Sequence, residues 1–393
     1  MKIRSLSLIF LVSFMLAPFL VSETTEYANA KSEIEENLTQ EITENLDALV
    51  GENLNEYFQS LEGSLGYSLK DFVKGIINGE IKVSTENVLA IILQSIKSSL
   101  KSSIASVLSI LTLAILSSLA KTITAGFKKD GIENIIHFAI YGAILCALAI
   151  SLGAVVKSTY QSLVSVNKLL DGIFPILISL VTALGGVSAV TLLQPTTLLI
   201  SNLIIKLILN LIIPTFCAIV VLTFVGNMSN AIKLDKLSKT LKSIANWSLG
   251  ITFSIVTTFT SIQGLVGASF DSISIKSAKF ALSSYIPILG GYLSEGFDIV
   301  MASCVLIKNA LGLTTFLILL GIIVAPTIKI LIFSFSLKLF SSIVEPLGET
   351  KTSNLLYDTA GHLNLLIACI GGVAFIVFII ISITIGAFNG GII

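Results

Sequence analysis

The side chains in this sequence that could do chemistry are few and widely separated. The four cysteines lie far apart in apolar surroundings without Cys-x-x-Cys spacing, which favours packing thiols over metal ligands or disulfides. The two histidines lie at the edges of apolar segments, with no second ligand nearby. We therefore expect no catalytic, cofactor or metal site. The residues concerned are Cys146, Cys217, Cys304, Cys369, His137 and His362.

Motifs of larger enzymatic or nucleic-acid-binding sites are also missing from the sequence. There is no Gly-Lys-Ser/Thr phosphate loop, which excludes ATP hydrolysis by that route. Tyr357-Asp358 matches half of an intramembrane aspartyl protease pair, but no second Gly-x-Gly-Asp follows. Arg4 is the only arginine and no basic face carries aromatic residues, so we expect no nucleic-acid binding.

Several ionisable residues lie inside or beside apolar segments. Such charges cost about 2.5–3.5 kcal/mol at mid-membrane, so they usually face a cavity or a partner. Alternatively, a lysine near a membrane surface extends its ammonium to the interface. Both interpretations stay open for Lys206, whereas for Lys308, beside a loop, we favour the interface. These candidate cavity or structural residues are Asp171, Lys206, Glu295, Asp298 and Lys308.

The composition indicates the elements that must position these residues. Hydrophobic residues make up 54% of the chain and charged residues 12%, and the mean hydropathy is +0.95. Soluble proteins carry about 25% charged residues. Long uncharged stretches of the kind that cross membranes recur from Ser102 onward. We therefore predict an all-α, polytopic transmembrane protein with about 7–8 spans.

The N-terminus is typical of an exported protein. Lys2 and Arg4 make the first four residues basic, Leu6–Val21 form an apolar run, and Ala28 and Ala30 supply the small residues of a cleavage site. We predict a signal peptide over residues 1–30, although the long polar stretch after Val21 leaves an uncleaved anchor open.

Two polar segments separate the signal peptide from the membrane domain, which we assign to residues 102–393. Residues 31–83 carry a helical apolar stripe punctuated by glycines, which predicts an extracytoplasmic helical segment. It is too short to bury a core alone, so we expect it to pack on its own membrane domain, on another copy of the chain or on a partner. Residues 84–101 form an amphipathic pattern, which predicts a helix at the membrane surface.

The positions of the lysines predict the orientation of the spans, since positive loops stay in the cytoplasm. With residue 31 onward outside, the lysine-rich loop Lys233–Lys242 is expected inside. Counting Lys329–Val344 as a span, although Lys338 interrupts it, places Glu345–His362 outside. The predicted spans are Ser102–Ala120, Ile135–Val156, three crossings or one plus a re-entrant hairpin within Gly172–Ile232, Ser243–Phe270, Asn309–Ile328 and Leu363–Ile393.

Prolines and glycines in the apolar stretches predict broken or re-entrant helices. At membrane depth, interrupted backbone persists only where it is buried or lines a cavity, and Lys206 could face such a cavity. The candidate breaks are Pro175, Gly185, Gly186, Pro195, Pro214, Pro287, Gly290 and Gly291.

Two regions of the sequence are more specific than their composition. Their segments are Lys168–Asp171, Pro175–Leu177, Leu184–Gly186, Lys206, Pro214, Asp271–Phe280, Tyr285–Gly291, Glu295–Asp298, Ala302–Ser303 and Leu306–Asn309. This pattern resembles the stage III sporulation protein AE family, most strongly over residues 165–310 and in general over about residues 85–390.

This resemblance implies a multi-pass protein of the mother-cell membrane that surrounds the forespore of endospore-forming bacteria. The expected partners are the lipid bilayer and the other membrane and exported proteins of a channel-like complex, including a separate ATPase. A homo-oligomer is compatible with it. The family supplies no catalytic residues to transfer. Two functions remain open at this point: a membrane platform or conduit of that complex, and a solute permease.

Overall fold

The computed structural model describes the backbone of residues 130–184, 190–191, 202–228, 234–285 and 290–386, with isolated positions before residue 130. Side chains are described over residues 138–184, 190–191, 202–228, 234–263, 301 and 304–386, and at those isolated positions. The predicted signal peptide, with Ala28 and Ala30, lies outside the described residues. So do nearly all of the exported segment and the breaks at Gly185, Gly186, Pro195 and Pro287.

Every regular element in the described part of the chain is helical. Helix α1 spans Asp130–Ala183, α2 Ile213–Met228, α3 Asp235–Tyr285, α4 Gly290–Val344 and α5 Thr350–Gly386. A π-helical segment, Ile208–Ile212, precedes α2, and a 3₁₀ turn, Glu345–Leu347, joins α4 to α5. Described positions in the predicted interfacial helix and first span are also helical, among them Leu89, Ile96, Leu108 and Ile115.

Four helical segments are long and apolar enough to cross a membrane. They are Phe138–Ala183, Asn202–Met228, Cys304–Leu347 and Thr350–Gly386. The all-helical, membrane-type fold is therefore confirmed for the described residues. The predicted count of about 7–8 spans stays a prediction, as does the crossing over Ser243–Phe270, which is not among these four.

Two helices are much longer than the sequence predicts. Helix α1 runs for 54 residues through Lys157 and Pro175, and α4 runs for 55 residues through Lys329. At about 1.5 Å per residue, each exceeds 80 Å, against about 30 Å of bilayer hydrocarbon. Ile135–Val156 and the start of Gly172–Ile232 therefore belong to one helix. Isolated charges lower the local hydropathy but do not end a helix, which is why our segmentation there is wrong.

The proline positions show which predicted breaks interrupt a helix. Pro175 lies inside α1, so the break predicted there is wrong. Pro214 is the second residue of α2, two positions after the π-helical segment ends at Ile212. In a regular α-helix its ring would clash with the carbonyl of Asn210, four residues earlier, and Asn210 lies within the π-helical segment. Helix α4 begins at Gly290-Gly291, close after the end of α3 at Tyr285.

Helix α5 is the central element of the bundle and contacts α1, α2, α3 and α4. Its buried side chains extend from Thr352 to Thr384, almost its whole length. Helix α4 runs antiparallel to it, and Gly348, with φ of 84°, makes the left-handed turn between them. The core of the described bundle is therefore filled by a helix.

Candidate functional site: a polar cluster between three helices

A buried set of polar side chains lies where the end of α2, the start of α3 and the first third of α5 meet. We call Thr223, Ser238, Lys242 and His362 the polar cluster. Three of them lie in otherwise apolar packing, with Thr223 5% exposed, Ser238 3% and His362 6%. Buried polar groups must find partners, so the cluster requires these three helices to meet in one register.

Thr223 is the centre of this cluster. Its Oγ1 lies 2.8 Å from His362 Nε2, 3.2 Å from Ser238 Oγ and 2.9 Å from the Ile219 carbonyl oxygen. A threonine hydroxyl has one proton and can accept two hydrogen bonds. Donation to Ile219, the usual bond inside a helix, leaves Thr223 accepting from Ser238 and from the Nε2–H of His362. His362 then carries a proton on Nε2.

Lys242 forms the second link between α3 and α5. Its Nζ donates to the carbonyl oxygen of Gly361 over 2.7 Å, one residue before His362. Asp358, one turn earlier on α5, interacts electrostatically with Lys239, Lys242 and Asp235 at the start of α3. This end of the bundle therefore combines buried neutral contacts with a charged outer rim.

Helices α4 and α5 are joined by hydroxyl groups at the same end. Ser341 Oγ donates to the Ser353 carbonyl oxygen over 2.9 Å, and Ser353 Oγ donates to the Ser341 carbonyl oxygen over 3.0 Å. Ser334 Oγ donates to the Ala360 carbonyl oxygen over 3.0 Å. These reciprocal contacts fix the α4–α5 hairpin close to its turn.

Two buried polar atoms on α5 have no hydrogen-bond partner in the described part of the protein. They are His362 Nδ1 and Thr359 Oγ1, one turn apart. Other buried threonines, such as Thr260 and Thr314, donate to the carbonyl four residues earlier in their own helix. The structure thus leaves His362 Nδ1 able to accept a proton or a hydrogen bond.

Within the described residues, no three His, Cys, Asp or Glu side chains lie together as metal ligands.

These contacts correct one part of the predicted topology. Lys242 and Gly361 are hydrogen-bonded, so the start of α3 and the turn that precedes α5 lie at the same end of the bundle. The sequence-based assignment placed Lys233–Lys242 inside and Glu345–His362 outside, and these two positions are incompatible. The error comes from counting Lys329–Val344 as a separate span, whereas it is the end of α4.

The residues singled out from the sequence do not gather in one place. Asp171 is exposed on α1 and accepts a hydrogen bond from Asn167 Nδ2 over 2.9 Å. Lys206 is exposed as well, and the neighbouring segment that could form a cavity lies outside the described residues. Glu295 and Asp298 belong to α4, but their side chains are not described.

Lys308 differs most from its expected place. It lies on α4 and has 0% exposure. The interfacial position that we favoured is therefore wrong for this side chain. It is about 54 Å along α4 from Val344, at about 1.5 Å per residue, and so lies far from the polar cluster.

The sequence analysis missed the polar cluster, although a signal was present. Thr223 and Asn227, Ser238 and Lys242, and Asp358 and His362 are pairs spaced four residues apart in otherwise apolar segments. This spacing puts each pair on one helix face. Nothing in a single sequence shows that the three faces meet.

The comparisons with known proteins identify the family. The profile of the family described as Stage III sporulation protein AE matches residues 67–388. Stage III sporulation protein AE of Bacillus subtilis (strain 168) is 23% identical over 335 residues, which cover 85% of this chain and 84% of that protein. No solved structure matches the chain. The protein therefore belongs to the stage III sporulation protein AE family.

Proposed function

We propose that this protein is a membrane platform within the complex that joins the mother cell to the engulfed forespore during endospore formation. Its family membership and its four apolar helices support a sporulation role at a membrane. The observation that carries the platform role is the central position of α5, which is buried along nearly its whole length. A bundle with a helix at its centre favours a scaffold over a one-chain conduit.

A solute permease is the second function that we keep. The fully buried Lys308 favours it, because ionisable residues inside membrane domains often mark substrate or ion pathways. His362 supports the same interpretation, because its buried Nδ1 has no hydrogen-bond partner among the described residues. In the polar cluster, however, the hydrogen bonds of Thr223, Ser238 and Lys242 hold α2, α3 and α5 together, which favours a static scaffold.

The partners that we propose are the other membrane and exported proteins of the complex, among them a separate ATPase that supplies energy this chain does not. Residues 31–83 would contact exported partners outside the mother-cell membrane, and the charged end of α3 and α5 would lie in the cytoplasm. We assign no enzymatic reaction to the chain. Several copies can be present in one assembly.

The test is purification of the tagged protein from sporulating cells in a mild detergent. A platform should retain other membrane and exported proteins and migrate at several times the mass of one chain. A single free chain, purified from cells that sporulate normally, would contradict the platform role. Solute movement by the purified chain alone in vesicles would instead establish the permease.

A further inference from the structure

The outer face of α3 changes character along the helix. Its first turns expose Lys236, Lys239 and Ser243, whereas its later turns expose large apolar side chains. The opposite face buries Ala245, Leu249 and Val256 in the bundle core. The exposed apolar side chains are Ile244, Trp247, Ile251, Ile255, Phe259 and Ile262.

This apolar face has the dimensions of a membrane contact. From Ile244 to Ile262 it extends about 27 Å at about 1.5 Å per residue, close to the thickness of bilayer hydrocarbon. Helix α3 packs against α2 and α5, both within segments apolar enough to cross a membrane. Trp247, 70% exposed at the boundary between the basic and apolar turns, is at the level where tryptophans meet lipid headgroups.

A shallow groove is present in this face. It is lined by Asn246, Trp247, Gly250, Ile251, Ser254 and Ile255 and has a volume of about 480 Å³. Gly250 and Ser254 form its floor because they are small, and the larger side chains form its walls. A Cβ added at Gly250 would meet nothing within 4 Å, so the floor is open toward the outside.

Two exposed lysines, Lys236 and Lys239, lie on α3 before the groove, with Lys239 about 10 Å along the helix from Asn246. Lys239, Ser243, Asn246 and Gly250 follow one another at steps of three or four residues, which places them in one row on the helix. Lys236 is three residues before Lys239 on the same exposed side. Among the described residues, Asp235 on α3 and Asp358 on α5 are the acidic groups that interact with this lysine-bearing end of α3.

We propose that this groove binds one anionic phospholipid, with its phosphate at Lys236 and Lys239 and an acyl chain over Gly250 and Ser254. Lysines at a membrane surface attract anionic headgroups, and the apolar walls match a hydrocarbon chain. Small residues at this spacing also suit a helix from a second copy. The lysines before the groove favour a phosphate, because a second apolar helix gains nothing from them.

The chain provides its own probe, since Trp247 is its only tryptophan. The full protein is reconstituted in bilayers that contain equal amounts of phosphatidylglycerol and phosphatidylcholine, with acyl-chain bromine on one lipid or the other. We expect brominated phosphatidylglycerol to quench Trp247 about twofold more than brominated phosphatidylcholine. Lys236→Gln combined with Lys239→Gln should make the two lipids equal.

A groove-filling variant tests the acyl-chain contact. Gly250→Leu fills the floor without a clash inside the protein and should remove the preference for phosphatidylglycerol. Gly153→Leu is the matched control, because Gly153 is exposed on α1 and equally open, and it should retain the preference.

Two outcomes would overturn the proposal. Equal quenching of the unaltered protein by both lipids would mean general contact with the bilayer. Weak quenching by either lipid, together with disulfide cross-linking of two copies through Ser254→Cys in a variant without native cysteines, would identify a protein interface.

Discussion

The two ends of α5 are held in different ways. Near its start, α5 is joined to α2, α3 and α4 by hydrogen bonds at His362, Gly361 and Ser353. Toward its other end the contacts are apolar and close, and the rings of Phe316 and Phe378 meet edge to face with centroids 5.3 Å apart. Phe253 of α3 lies directly against Gly372 of α5, and Ile385 of α5 lies directly against Gly312 of α4.

The difference separates two physical roles. In membranes, apolar side chains fit lipid and protein alike, so close packing at small residues supplies most of the helix association. Polar contacts are individually modest, at about 0.6 kcal/mol on average, but they are satisfied in one register alone. In this protein the polar end therefore specifies which helices meet, and the glycine-lined part lets them approach.

The largest expected effect concerns topology, where the result is all or none. Cysteines at Leu237 and Asn354, both exposed at the polar end, should react with a membrane-impermeant reagent from the same side of the membrane. A cysteine at Gly386, at the opposite end of α5, should react from the other side. The measurement uses a variant in which the four native cysteines are alanine.

Labelling of positions 237 and 354 from opposite sides would contradict the structure, because Lys242 and Gly361 could not then be bonded. Labelling of both from outside would preserve the bundle and reverse our lysine-based orientation.

The class of fold could be predicted from the sequence because it depends on composition. The ends of the helices could not. Lys157 and Lys329 lower the hydropathy that marks a span, yet helical backbone hydrogen bonding continues through them. The polar cluster could not be predicted either, since Thr223, Ser238 and His362 come together through packing across long chain separations.

The next effect tests the close-packed part of α5. A side chain at Gly372 would overlap the ring of Phe253 on α3, whereas Gly371 has open space around it. Gly372→Leu should therefore destabilise the bundle by about 1–3 kcal/mol, and Gly371→Leu should cost much less. Unfolding of the purified proteins in a denaturing detergent measures both.

A second substitution shows whether the Phe253 contact causes the loss. Phe253→Ala should restore part of the stability of Gly372→Leu by making space beside it. If the double variant loses the sum of the two single losses, the two residues do not interact.

A smaller effect is expected at the polar cluster. Thr223→Val keeps the shape of the side chain but leaves His362 Nε2 and Ser238 Oγ without their shared acceptor. We expect a loss of about 1–2 kcal/mol, because buried polar groups are left unpaired. Thr260→Val is the matched control, since the Thr260 hydroxyl bonds to Val256 of its own helix. Equal losses for the two variants would mean that the link between helices adds nothing.

The smallest effect is expected at Lys206, which contrasts with Lys308 in burial. Lys206 is exposed, so Lys206→Met should change the free energy of unfolding by no more than about 0.5 kcal/mol. The same exchange at Lys308, which is 0% exposed, removes a buried ammonium together with its interactions and should have a measurably larger effect on the free energy of unfolding.

Spore yield at matched protein level is the second readout for Lys206→Met. Normal spores from Lys206→Met would fit a lysine that serves only as an interfacial group. Defective spores at normal protein level would instead support the cavity interpretation.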